Sequence, residues 1–462
     1  MTFSRFFAQT SGLALAVGLL SAFTPRTAVP TLNPAAHATL VAGDVAPGRL
    51  FPRPVPAAQT QQALTPGRVS VSNPLSPRLP LQAPLAPETW RSKSTVLHVA
   101  PGSSATELVL PIDTPQDAWV LLIPKAKDDG VGQESLRDVA LLNPRGQRVD
   151  PRADRAGQDE LGLDSSQQRA GRIARPVALL RLSPDMGAGR YTLRVGPRAA
   201  AVGLAVDVRV PQSPIELSLT ASAMQLFPGE DVHVKVGLSA ERPENVRVEA
   251  SLYNPRFERD REVPVELVDG EYRAQVSRVL TERDEPGAWV LEVRATGTSN
   301  GRAFDRLAQT AVGFVVPTAR ITSAGNTRLV RDAAGKVAAF EVDVVVESQS
   351  RDRYEVTGTL VANNLRKELP LAEAQVTDQL GEGTHTLTLR FDAGHVGLSH
   401  VGGVYSLRDL RLFSLGTNTL YHRLGKALEL RMPEASLDEL AAPEMTPALK
   451  LMMDEGQFTT VR

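Results

Sequence analysis

Residues 231–252 read DVHVKVGLSAERPENVRVEASL. In the first half Val232, Val234, Val236 and Leu238 share one parity, and His233 and Lys235 take the other. In the second half Val246, Val248, Ala250 and Leu252 alternate with Arg247, Glu249 and Ser251. A period of two gives a strand one dry face and one wet face, which is what two packed antiparallel sheets require. Pro243 and Asn245 fall between the two runs and are turn formers.

The pattern continues outward. Trp289, Leu291, Val293 and Ala295 alternate with Glu292 and Arg294, and Phe340, Val342, Val344 and Val346 alternate with Glu341, Asp343 and Glu347. From Trp90 onward, short alternating runs are broken by Gly, Pro, Asp and Asn, and helical periodicity is rare. The expected fold class is all-β.

A repeat sets the number of units. Gly-x-aromatic-x-Leu occurs at Gly189–Tyr191–Leu193, Gly287–Trp289–Leu291 and Gly403–Tyr405–Leu407, with the aromatics 98 and 116 residues apart. That spacing approximates the roughly 100 residues of an immunoglobulin-like sandwich. The length of 462 residues, at about 150 per domain, also suggests three. The expectation is three tandem immunoglobulin-like or jelly-roll-like β-sandwich domains after a signal peptide and a Pro-rich linker. Their bounds are placed at 88–212, 213–317 and 318–432. The stretch 126–175 is charged and glycine-containing, and its second part is read as a long exposed loop, the largest irregularity of the folded region.

The two ends differ from this pattern. Arg5 precedes an uncharged apolar run, Gly12–Phe23, of twelve residues. This is too short to span a bilayer of about 30 Å but suits a secretory signal, so 1–38 is read as a signal peptide cleaved somewhere in 22–38. Residues 24–87 hold 13 of the 34 prolines, and 39–87 is read as a flexible linker. Residues 433–462, with six acidic and two basic side chains, are read as a flexible acidic tail. No later run is long and apolar enough to span a membrane.

Two segments resemble known families. FPGEDVHVKVGL (227–238), DGEYRAQV (269–276) and EPGAWVLEVRATG (285–297) resemble the immunoglobulin-like domains repeated in bacterial secreted and surface proteins. Residues 354–415, from YEVTGTLV to LRLFSL, resemble the C-terminal sandwich of an uncharacterised family of exported bacterial proteins. The resemblance implies a sandwich and no chemistry. It also implies a glycine after Phe391–Asp392, where this chain has Ala393 and then Gly394.

The chemistry-bearing residues are sparse. There are no cysteines, which excludes disulfides, thiolate nucleophiles and zinc–sulfur sites. The 51 basic and 52 acidic residues nearly cancel, so no broad field invites nucleic acid. The seven histidines make no HExxH; Asp392, His395 and His400 come nearest to a cluster and are read as ordinary turn residues. Asp128–Asp129–Gly130 lacks the spacing of a calcium loop, and no serine-hydrolase elbow, P-loop or dinucleotide fingerprint occurs. Aromatics are 5% of the chain, few for stacking on sugars or bases. Trp90, Trp119 and Trp289 are all read as packing residues.

No catalytic, cofactor-binding or metal-binding residue is therefore expected, and no cofactor. The reading is a non-enzymatic exported protein, periplasmic or extracellular. It would present sandwich loops or edges to a protein or an envelope or extracellular ligand, with the 126–175 loop and the 392–403 turn as candidate surfaces. The alternative is a secreted hydrolase, or its accessory subunit, acting on polysaccharide or protein, because carboxylate catalysis leaves no short motif.

Overall fold

The computed structural model describes residues 44–53, 67–78, 81, 88–125, 129–149, 178–364, 367–425 and 430–458. The signal-peptide reading of 1–38 and the 150–175 part of the long loop lie outside the described residues. The fold is all-β, with the strands of the described residues in six sheets.

Two short strands come first, β1 (Val69–Pro74) and β2 (Thr89–Ser92). Next are β3 (Ser94–Val99), β4 (Thr106–Ile112), β5 (Trp119–Pro124), β6 (Val139–Leu142), β7 (Arg148–Val149), β8 (Ala178–Arg181), β9 (Gly189–Val195) and β10 (Leu204–Arg209). They form sheets β3-β10-β5-β8 and β4-β9-β6-β7 around a core that includes Leu110, Val120, Tyr191, Leu193 and Val206.

A second pair of sheets uses β11 (Glu216–Ala221), β12 (Gln225–Leu226), β13 (Val234–Ser239), β14 (Pro243–Tyr253), β15 (Arg259–Val263), β16 (Val265–Val268), β17 (Glu271–Ala274), β18 (Gly287–Ser299) and β19 (Arg302–Phe314). Their orders are β16-β17-β13-β11-β2 and β12-β19-β18-β14-β15. The parity read from 231–252 holds here: Val232, Val234, Val236, Ala250 and Leu252 lie in one core with Trp289 and Leu291.

The third pair uses β20 (Ala319–Arg331), β21 (Val337–Ser348), β22 (Asp352–Asn364), β23 (Lys367–Leu380), β24 (Gly383–Asp392), β25 (Val404–Ser414) and β26 (Thr419–Leu424). Sheet β20-β21-β24 packs on sheet β1-β23-β22-β25-β26 over the largest core. Each fully buried Val, Leu or Phe in such a core contributes about 1.5–3 kcal/mol.

The Gly-x-aromatic repeat has a common structural role. Each aromatic starts a strand that continues a hairpin sheet, and its polar atom donates to the carbonyl four residues back. Tyr191 Oη reaches Gly187 at 2.8 Å, Trp289 Nε1 reaches Glu285 at 2.8 Å, and Tyr405 Oη reaches Val401 at 3.4 Å. This pins the corner where the chain enters the strand, in the manner of a tyrosine corner. The glycine before it holds φ of 149°, 144° and 132° in the three copies, a region closed to most side chains. Burial pushes the Tyr191 hydroxyl up to about 12, so it stays a donor.

Three sequence expectations are corrected. The 39–87 stretch is not wholly a free linker: Leu50 and Phe51 are buried, Phe51 N–H donates to Pro317 C=O, and Val69–Pro74 pairs along β23. Proline at the end of an edge strand leaves no ladder bond unmade, so Pro-richness did not preclude pairing. Residues 89–92 pair with β11 and so belong with the second pair of sheets, not the first.

The 433–462 stretch is also docked through its described part. Ala435 and Leu440 enter the third core, and Leu449 and Phe458 pack with Leu398. Pro447 sits at the first turn of the helix Pro447–Asp454, where a missing N–H costs nothing, and the Thr446 side chain caps that turn.

Candidate interaction surfaces

Three hairpin turns in this chain share one geometry. In Asn143–Gln147 the Asn143 carboxamide oxygen accepts from Arg145 N–H and Gln147 N–H at 3.0 and 2.9 Å, and Gly146 N–H donates to Asn143 C=O at 2.9 Å. Asp332–Lys336 repeats this with the Asp332 carboxylate accepting from Ala334 and Lys336 and with Gly335 in the fourth place. In Asn254–Glu258 the Asn254 oxygen accepts from Arg256 and Glu258 at 2.9 and 3.0 Å, and Phe257 N–H donates to Asn254 C=O at 2.9 Å.

The fourth residue must be left-handed. Gly146 and Gly335 take φ of 76° and 80°, and Phe257 takes 63°. Glycine bears this conformation freely; a residue with a Cβ pays about 1–2 kcal/mol. Phe257 recovers none of that by burial, since it is 76% exposed, the most exposed large apolar side chain among the described residues.

The turn is held rigidly beneath it. Pro255 packs against Gly287, where an added Cβ would meet its ring at 2.9 Å, as Pro144 packs against Gly189. Asn254 Nδ2 bonds Glu258 at 3.1 Å, and Arg256 pairs with Glu285 at 3.3 Å. The backbone of the tip is thus tied on both sides, and the Phe257 ring projects from it into solvent.

Sequence reasoning missed Phe257. The signal was present as NPRGQ at 143–147 and NPRFE at 254–258, a repeated turn that differs in glycine against phenylalanine and glutamine against glutamate.

The surfaces named from sequence fare differently. The 392–403 turn is not free. The Asp392 carboxylate caps the helix Ala393–Gly397 by accepting from Gly394 and His395 N–H, and Gly394 lies against Pro443 and Gly402 beside Leu437. The residue after Phe391–Asp392 is thus a buried helix-starting alanine, and the following glycine is the one that the tail requires. Asp392, His395 and His400 do not converge: Asp392 faces the helix N–H groups, His395 Nδ1 lies 3.3 Å from Ser72 Oγ, and His400 is exposed with φ of 51°. Among the described residues no group of three or more His, Asp or Glu side chains is placed to hold a metal ion.

In the 126–175 stretch the described residues hold a short helix, Asp129–Leu136, and the sheet strands β6 and β7, while the part from 150 onward lies outside the described residues. Of the tryptophans, Trp289 is buried, Trp119 lies under the Arg209 guanidinium at 4.7 Å, and Trp90 is 54% exposed on β2 rather than packed.

Comparison with known proteins adds to this. Residues 318–431 match the C-terminal domain of DUF4785, a domain of unknown function. The matched DUF4785 segment coincides with β20–β26, the sandwich that accepts β1 and the tail. A crystal structure of a DUF4785 family protein from Legionella pneumophila superposes with a TM-score of 0.60 at 16% identity, covering 83% of this chain and 99% of that one. That likeness is one of fold. Native α2-macroglobulin of Escherichia coli (12% identity, 74% of this chain and 22% of that one, TM-score 0.19) and chicken CNTN1 FN1–FN3 domains (10%, 73% and 100%, 0.20) also align. No curated protein matches the chain.

Proposed function

We propose that this chain is an exported, non-enzymatic binding protein that presents the loops of its sandwiches to a protein or an envelope or extracellular ligand. The observation that carries the binding role is Phe257, kept left-handed and 76% exposed where two turns of the same build use glycine. A protein selected for stability alone gains by having glycine there. A partner that covers the ring offsets the strain, since burying a phenylalanine is worth about 1.5–3 kcal/mol.

Export is supported by the Arg5 and Gly12–Phe23 pattern. Two readouts test the proposal. Fractionation with N-terminal sequencing is expected to recover a mature chain beginning within residues 23–39, in the periplasm or the medium; an uncleaved cytosolic product overturns export. Phe257→Gly is expected to raise stability while lowering capture of the exported chain's ligand at least tenfold. Unchanged capture removes Phe257 from the binding role.

A further inference from the structure

The strand β1 is donated to the third sandwich from about 300 residues upstream of its partner. Six residues pair antiparallel with β23, from Val69↔Thr377 to Pro74↔Ala372, and Leu75 N–H continues the ladder to Leu371 C=O. Its hydrophobic pattern opposes this register. Cross-strand neighbours share a face, so Ser70 and Ser72 lie on the face of the fully buried Val376 and Ala374, with Ser72 half-buried and Ser70 still exposed. Val69 and Val71 are turned outward, 36% and 42% exposed.

A slip of one residue would put both valines inward, so apolar burial does not fix the observed pairing. Polar anchors do. Ser72 Oγ accepts from Asp392 N–H at 3.0 Å and meets His395 Nδ1 at 3.3 Å, Arg68 pairs with Asp378 at 2.9 Å, and Ser76 Oγ donates to Gln457 C=O at 2.6 Å. The strand is held by its ladder and these few bonds, all of which an identical strand would remake.

We propose that the β23 edge is a strand-acceptor site, filled here in cis by Val69–Pro74 and able to take the same segment from a second copy of this chain. The exchange conserves every ladder bond and anchor, as strand swapping between identical protomers does. This inference is independent of Phe257.

The absence of native cysteine makes the test direct. Val71 and Gln375 are paired on the outer face. Full-length chains carrying Val71→Cys and Gln375→Cys, with tags of different size, are mixed and mildly oxidised. The expected product is a disulfide-linked pair of unlike chains, formed about tenfold faster when Ser72→Ala in both chains removes a bond that must break before β1 can leave. The doubly substituted chain is expected to close mainly within itself, because its own strand is always at hand. Unlike chains that link no more than a control pairing Val71→Cys with Asp332→Cys, while the double variant closes fully, overturn the exchange. A double variant that does not close overturns the register on which it rests.

Discussion

Phe257 holds φ at +63° with its ring in water, and both facts are unfavourable to the isolated chain. Phe257→Gly is expected to stabilise the protein by about 1 kcal/mol in chemical denaturation, because the left-handed penalty of a Cβ is removed, less the added entropy of the unfolded chain. No gain in the denaturation midpoint would mean that the turn is not strained. A second residue acts through acid. His422 is buried on β26; its Nδ1 accepts from Ile321 N–H at 3.0 Å and its Nε2 has no partner. Burial, with Arg320 nearby, lowers this imidazole from 6.5 to about 4. Below pH 6.5 the unfolded chain takes up a proton that the folded chain refuses until about pH 4. Stability from this group is therefore full above 6.5 and lost as pH falls through that window, by about 3 kcal/mol. His422→Gln, which keeps an acceptor for Ile321, is expected to lose less stability between pH 7 and pH 4 than the parent; identical acid profiles would refute the assignment.

At the scale of elements, the tail depends on one glycine. A Cβ on Gly394 would come within 2.4 Å of the Pro443 backbone, which a neighbouring strand or side chain cannot relieve. Gly394→Ala is expected to destabilise by about 1–3 kcal/mol and to raise hydrogen exchange across 433–458 selectively. Uniform exchange across the chain would place the effect elsewhere. The strands themselves were legible in the sequence because their two faces differ: Val232, Val234 and Val236 are inward as their parity requires. The glycine–aromatic repeat was legible as a marker, although its cause, the bond to the carbonyl four residues back, was not. β1 was illegible for a physical reason. VSVSNP half-buries Ser72 and leaves its valines outward, and its partner lies far along the chain, so neither pattern nor neighbourhood announces it. The tail was misread because prolines that stop a helix can still pack against a neighbour.

Across the whole molecule, the first and second sandwiches are joined by buried charge. Arg306 in β19 pairs with Asp113 at 2.5 Å, shares Ser213 Oγ at 2.7 Å, and donates to Ile215 C=O at 3.1 Å; both ions are at most 3% exposed. Beside it Asp305 accepts from Thr95 at 3.0 Å and pairs with Arg294. The second and third are joined by the N-terminal segment, where Phe51 bonds Pro317, and by Gln225 Nε2 donating to Leu420 C=O at 2.8 Å. Removing one partner of a buried pair costs about 3–5 kcal/mol. Arg306→Met is expected to lose that much and to separate the unfolding of residues 94–209 from the rest; Asp113→Leu with Arg306→Met is expected to recover most of it. A single transition of unchanged midpoint would deny the joint its role. These contacts join residues up to 266 positions apart (Phe51 to Pro317) and have no local signature, so the sequence revealed sandwiches without revealing how they are fastened.

The central claim is that the 254–258 turn meets a partner outside the cytoplasm, and photo-crosslinking in intact producing cells tests it most directly. A benzoylphenylalanine is placed at position 257 and, as a control, at the Asn300 hairpin tip of the same sandwich. The account predicts a discrete covalent adduct with one envelope or extracellular macromolecule from position 257 and none from 300. An exported chain that gives no adduct at 257, or equal diffuse adducts at both positions, would contradict it.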